Sequence, residues 1–230
     1  MPRKVIGILG GMGPEATADL FLKIIKSTPA KKDQEHLRIL IDNNPQIPDR
    51  TAAILHGGED PTPALVETGK NLERAGADFL IIPCNTAHYF HGKIQDAVTI
   101  PVLHMMSATA GEMKARGIKR AGLLASDGTV QSGLYHKALA QSGIEVVIPS
   151  KETQRKVMGA IYGVKSGEFV ASARDVKQAA EELIAAGATG VIAGCTEIPL
   201  ILADGDVSMP VIDATAALAR AAVQEALGQA

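Results

Sequence analysis

The chain carries one stretch twice, and that repeat limits the folds open to it. Leu72-x-x-Ala75-Gly76-Ala77 stands ahead of Cys84, and Leu183-x-x-Ala186-Gly187-Ala188 stands ahead of Cys195, with the leucine twelve positions before the cysteine in each. In both copies a helical pattern closes on glycine and an apolar run follows (Phe79 to Ile82; Val191 to Ala193). The cysteine comes two positions after the run ends. A short apolar run bounded by turn residues reads as a buried parallel strand, and the carboxyl end of such a strand is where open α/β sheets bind ligands. Later segments repeat too: Ile100-Pro101-Val102 matches Met209-Pro210-Val211, and Ala108-Thr109-Ala110 matches Ala214-Thr215-Ala216. The expected fold class is therefore α/β, with two similar parallel-sheet domains related by internal duplication. The first comprises residues 1-103 and 213-230 and carries Cys84; the second comprises 104-212 and carries Cys195. If the halves face each other, the two thiols flank one active-site cleft.

Bulk properties agree. The 230 residues are 46% hydrophobic but only 3% aromatic, so the core must be built from Ala, Val, Ile and Leu. A net charge of −2 without a basic stripe argues against a nucleic-acid partner. No apolar run approaches the ~18 residues of a membrane span. Val5 to Leu9 is too short and too soon broken by glycine for a signal sequence, so a cytoplasmic protein with reduced thiols is expected. The two cysteines give neither a disulfide framework nor a metal spacing, and the six histidines show no metal pattern.

In chain order, strands are expected over Lys4 to Leu9 and Leu37 to Asp42. A glycine-rich loop from Gly10 to Gly13 leads from the first strand into a helix, with Pro14 in its first turn. The segment Ile47-Pro48-Asp49-Arg50 reads as loop, and Pro63 to Ala75 as helix. After the Cys84 strand, Asn85 and Thr86 suit the start of a helix through about Gln95. Ile100 to Leu103 reads as a strand and Ser107 to Arg116 as a helix. The second half gives strands at Arg120 to Ala125, Glu145 to Ile148, the Cys195 segment and Met209 to Ile212. Its helices are expected over Gln131 to Gln141, 151 to 164 and Ala171 to Ala186, with a closing helix from Thr215.

Two thiols matched in position suit one task in particular. Inverting an α-carbon takes a base on one face and an acid on the other, and a pair of like groups can exchange these roles between enantiomers. Thiols act as thiolates, which a helix N-terminus favours, and each cysteine stands just before an expected helix start. The alternative for either cysteine is a small buried hydrophobe. The glycine loop has its own alternatives, a phosphate-binding turn or a tight strand-to-helix turn. It does not continue as G-x-G-x-x-G, which leaves a dinucleotide site with Asp42 as ribose acid a minor reading. Arg50 and Lys165 are either carboxylate clamps or solvated cations. Thr129, Ser132 and Tyr135 either donate hydrogen bonds to a ligand or cap a helix. His88, four residues past Cys84, either packs beside it or faces solvent.

The motifs Gly7-Ile8-Leu9-Gly10-Gly11-Met12-Gly13-Pro14-Glu15-Ala16-Thr17, Pro83-Cys84-Asn85-Thr86-Ala87-His88 and Gly194-Cys195-Thr196-Glu197-Ile198-Pro199 resemble the aspartate/glutamate racemase superfamily, most closely its aspartate racemase branch. The resemblance covers essentially the whole chain. It implies an isomerase independent of pyridoxal phosphate and metal, with no cofactor, acting on a dicarboxylic amino acid. It also implies a homodimer with no membrane partner. By resemblance Cys84 and Cys195 are catalytic, and Asn85, Thr86, Ala87 and Thr196 hold the α-carboxylate. Arg50 and Lys165 then recognise the side-chain carboxylate, and Thr129 joins the substrate-binding set. The glutamate branch carries Cys-Thr-His at the second site, whereas this chain has Cys-Thr-Glu. A maleate-type cis-trans isomerase and a non-catalytic amino-acid sensor are the alternatives on the same scaffold.

Overall fold

The computed structural model describes residues 3–229, which form two parallel-sheet α/β units. The first unit takes in residues through Met105 and from Thr215 on; the second runs from Met106 to Ala214.

The first unit begins with β1 (Ile6–Gly10) and α1 (Pro14–Ser27), followed by β2 (Ile39–Asn43), α2 (Arg50–Leu55), α3 (Thr62–Arg74) and β3 (Phe79–Ile81). The strands are parallel in the order β2-β1-β3, with Ile8 opposite both Ile41 and Ile81. A 3₁₀ turn (Thr86–Phe90) and α4 (His91–Gln95) follow the Cys84 segment, and α5 (Met105–Ala115) carries the chain into the second unit. There β4 (Arg120–Leu124), α6 (Asp127–Gln131), α7 (Leu134–Ala140), β5 (Glu145–Val147), α8 (Lys151–Lys165), α9 (Phe169–Ala185), β6 (Gly190–Ala193) and β7 (Val211–Asp213) build a parallel sheet ordered β5-β4-β6-β7. The closing helix, α10 (Ala214–Leu227), lies in the first unit, where the Lys4 amide donates to Ala226 at 3.1 Å.

The sequence repeat is a repeat of hydrogen bonds. Helix α3 ends with the Gly76 amide donating to Glu73 and the Ala77 amide to Leu72; α9 ends with Gly187 donating to Ile184 and Ala188 to Leu183. Both glycines are left-handed, at φ +96° and +93°. This double bond closes a helix only when the residue after its cap tolerates positive φ. Each chain then enters a fully buried strand, β3 or β6. The proline pair is matched as well: Leu80 donates to the Pro101 carbonyl at 2.8 Å and Val191 to the Pro210 carbonyl at 2.9 Å. Each unit has its own aliphatic core. Leu9, Leu65, Leu80, Ile82 and Ile94 belong to the first, and Leu124, Val157, Val176, Leu183 and Val191 to the second.

Four expectations change at the level of local structure. Ile100 to Leu103 is not a strand. It touches β3 through a single parallel bridge, Leu80 to Val102, because Pro101 has no amide to extend the ladder. Arg50 does not lie in a loop: Asp49 accepts the Ala52 amide at 2.7 Å and starts α2 at Arg50. The helix expected over Gln131 to Gln141 is two helices, broken at Gly133 with φ +68°. Asn85 starts a 3₁₀ turn without capping it through its side chain.

Candidate active site

The first unit places Cys84 immediately beyond β3 as a free, buried thiol packed among Leu9, Ile82 and Ala87. Its amide donates to the Ile82 carbonyl at 2.8 Å, and the His88 amide donates to the Asn85 carbonyl at 3.1 Å. The turn is thus closed on itself, which buries Asn85, Thr86, Ala87 and His88 together. His88 is only 2% exposed, and its ring reaches back to the cysteine: Nδ1 lies 2.9 Å from the Cys84 carbonyl oxygen. The Met105 amide donates to Nε2 at 3.1 Å. Burial, and then the neighbouring His104, push His88 down to about 3; burial and His91 push His104 down to about 4. The rings of His88, His91 and His104 lie 4.9–5.9 Å apart, centroid to centroid.

Arg50 opens α2, which packs against the Thr86–Phe90 turn. One guanidinium nitrogen, Nη1, donates to the carbonyls of Ile47 and Pro48 at 3.1 and 3.0 Å, while the buried Nε has no hydrogen-bond partner. Those two backbone bonds fix the plane of the fork, a precondition for bidentate carboxylate binding. The glycine-rich loop adjoins the same sheet edge. Gly11 sits at φ +96°, and a Cβ there would come within 2.3 Å of the Asn44 backbone. Thr17 closes this loop, accepting from the Gly11 amide at 2.9 Å and donating to the Gly13 carbonyl at 3.0 Å. These bonds describe a tight strand-to-helix turn.

In the second unit Cys195 is a partly exposed thiol outside any disulfide, beyond β6. Its Sγ–H donates to Glu197 Oε2 at 2.9 Å, and the Thr196 hydroxyl also reaches that oxygen, at 3.4 Å. Glu197 is only 6% exposed, and its other oxygen lies 3.7 Å from Lys165 Nζ. Lys165 is the last residue of α8, where a cation complements the helix C-terminus. Helix α9 closes in beside it because Gly163 has no side chain: a Cβ there would fall 2.4 Å from Ser172 Oγ. Lys165, Cys195, Thr196 and Glu197 thus converge within one unit. Thr129 is buried in the start of α6, where Ser126 accepts its amide and donates to its hydroxyl at 3.2 Å. Tyr135 is fully buried. Burial holds its phenol above the usual range against a hydrogen bond with Thr109, with the charges of Asp213 and Cys195 adding to the rise.

Two residues of this candidate site carry no assigned role in the sequence expectations. Glu197 was noted only as a difference from Cys-Thr-His, yet an acid two residues from a cysteine in a tight turn was the available signal. For His88 the sequence allows either packing or exposure, and its spacing of four from Cys84 lets the ring fold back on the turn. Among the described residues, no group of three or more His, Cys, Asp or Glu is placed to hold a metal ion. None of their helices is long and apolar enough to cross a membrane.

The model of the Asp/Glu/Hydantoin racemase family matches residues 9–222. The chain belongs to that family and is a racemase, which makes it an isomerase. It is 31% identical over 223 residues to the broad specificity amino-acid racemase RacX of Bacillus subtilis, a match covering 95% of this chain and 96% of that one. Among solved structures it is similar to Picrophilus torridus aspartate racemase, with a TM-score of 0.88, 34% identity and coverage of 97% and 94% of the two chains. A glutamate racemase of Bacillus anthracis, at 20% identity and a TM-score of 0.67 over 99% of this chain and 83% of that one, shares the fold.

Proposed function

We propose that this chain is a cofactor-independent racemase of aspartate in which Cys84 and Cys195 are the two acid–base groups. The reading rests on one observation: the repeat sets a cysteine thiol at the same place in each unit, just past the carboxyl end of a buried strand that follows a glycine-closed helix. In the forward direction the thiolate of one cysteine takes the α-proton, leaving a carbanion stabilised by the α-carboxylate. The thiol of the other gives its proton to the opposite face, so the thiolate and thiol exchange places. The reverse reaction runs from that second state, and no electron pair is gained or lost.

In this scheme the amides and side chains of Asn85, Thr86 and Ala87, with Thr196, hold the α-carboxylate. Thr129 belongs to the substrate-binding set as well. Arg50 and Lys165 take the side-chain carboxylate, and Glu197 accepts the Cys195 proton. The same reading takes the enzyme as a cytoplasmic homodimer.

A second reading has support from a specific contact. Lys165 already faces the Glu197 carboxylate, so a substrate carboxylate must compete for it. That favours tolerance of neutral side chains, in line with the name of the Bacillus subtilis relative.

The deciding experiment follows the α-proton of L-aspartate by NMR in heavy water with cofactor-free protein, with chiral analysis of the product. Glutamate, neutral amino acids and maleate are run alongside. Exchange with appearance of D-aspartate supports racemisation. Exchange at comparable rates with neutral amino acids supports broad specificity. No exchange with any amino acid, together with turnover of maleate, overturns the proposal in favour of a cis-trans isomerase.

A further inference from the structure

His88 has both ring nitrogens committed within the first unit. A backbone amide can only donate, so Nε2, which receives the Met105 amide, must be the unprotonated nitrogen. The ring proton of the neutral form then sits on Nδ1 and is donated to the Cys84 carbonyl. The ring therefore spans from the cysteine to Met105, the first residue of α5 and the last of the first unit. The cysteine peptide is held on both sides, its amide by Ile82 and its carbonyl by His88.

The histidine is not placed to carry a proton for Cys84. Its contact is with the carbonyl, and a buried ring with both nitrogens bonded has no site from which to exchange one. The ring also meets the backbone of Leu103 and the rings of His91 and His104. His91 itself is engaged, with Nε2 at 2.8 Å from the Val102 carbonyl oxygen.

We propose that His88 is a positioning residue for Cys84: a neutral imidazole, protonated at Nδ1, that ties the thiol-bearing turn to the start of α5, where the chain leaves the first unit. The proposal rests on the reading of Cys84 as an acid–base group. A displacement of about 1 Å at a reacting group can cost about 100-fold in rate, so a brace of this kind is read in kcat rather than in KM.

The experiment compares the full-length wild type with His88→Asn, His88→Ala and Cys84→Ser. Asparagine places an amide nitrogen near Nδ1 and keeps the donor to the Cys84 carbonyl; alanine removes both contacts. In α-proton exchange, His88→Ala is expected to lose about 100-fold in kcat with KM little changed, and His88→Asn to recover about tenfold of that loss. The rate at which iodoacetamide alkylates Cys84, measured in a Cys195→Ser background, should change in His88→Ala and return towards wild type in His88→Asn. ¹⁵N NMR of the wild-type histidines should show an Nδ1–H tautomer that persists through neutral pH. An Nε2–H tautomer overturns the proposal. So does folded His88→Ala with unaltered kcat and alkylation rate, or folded His88→Asn no better than alanine. If neither variant folds, the wild-type tautomer decides. Full activity in Cys84→Ser would instead defeat the reading of Cys84, and the alkylation and NMR results would still judge the brace.

Discussion

The Cys195 thiol donates to the Glu197 carboxylate across 2.9 Å, and the other oxygen of that carboxylate lies 3.7 Å from the Lys165 ammonium. The three groups form a chain of contacts from sulfur to cation in which the carboxylate accepts the hydrogen bond of the thiol. Cys84 belongs to an apolar core cluster with Leu9, Ile82 and Ala87. The two sulfurs occupy matched positions in different surroundings.

Glu197→Gln keeps the shape of that carboxylate and removes its charge. The expected outcome is a loss of about 100-fold in kcat for α-proton exchange, the usual scale for a positioned proton acceptor. Circular dichroism should be unchanged. Single-turnover exchange measured on both enantiomers checks it, and the loss should be unequal between them, because only one thiol is affected.

Cys84→Ser and Cys195→Ser should each lower racemisation by at least about 100-fold, since an alcohol is a far poorer proton carrier at neutral pH than a thiol. Either variant with wild-type kcat would rule out a two-thiol mechanism.

Arg50→Lys keeps the charge and loses the fork that Ile47 and Pro48 orient. KM for aspartate should rise about tenfold, with a smaller change for a neutral amino acid. Equal effects on both would remove Arg50 from side-chain recognition.

His88 and His104 make stability depend on acidity. Both are lowered in the folded state, to about 3 and about 4, by burial first and by neighbouring histidines second. Unfolded histidines bind protons from about pH 6.5 downward, so between there and about pH 3 the unfolded chain holds more protons than the folded one. This stability is complete above about pH 6.5 and lost as pH falls towards the folded values. For His88 the loss is of the order of a few kcal/mol. Urea midpoints at about pH 7 and about pH 4.5 should differ accordingly, and His88→Asn should shrink the difference.

Two glycines with the same φ of +96° should respond differently to alanine. Gly76 has open space where a Cβ would stand, so only the backbone preference is lost, about 1 kcal/mol. At Gly11 a Cβ would meet the Asn44 backbone at 2.3 Å, and a cost of about 3 kcal/mol or more is expected. Denaturant melts of the two variants give the comparison.

The α/β architecture was legible because its signals are local. Helices closed on Gly76 and Gly187, followed by apolar runs, announce strand after helix wherever they occur. The duplication was legible because two of these units share one spacing. Details that depend on a single hydrogen bond were less so. Asp49 turned an expected loop into α2, and Gly133 split one helix into two. The cysteines stood out in the sequence, but their partners did not. Glu197 and His88 take their meaning from where a side chain folds back, and nothing in a linear pattern tells a buried carboxylate facing sulfur from a solvated one. Lys165 was expected to meet a ligand; its pairing with Glu197 depends on Gly163 letting α9 come close, a contact between residues that no spacing rule links.

The path of the chain through its two units sets an order of assembly. Every residue of the second unit lies in one unbroken stretch, Met106 to Ala214, whereas the first unit is complete only with α10. During synthesis the strands and helices around Cys195 can therefore close as soon as they leave the ribosome. The first unit must wait, its fold incomplete, until α10 emerges. Mutations that slow the docking of α10, far from either sulfur, should show themselves first as poor yield of protein rather than as poor turnover.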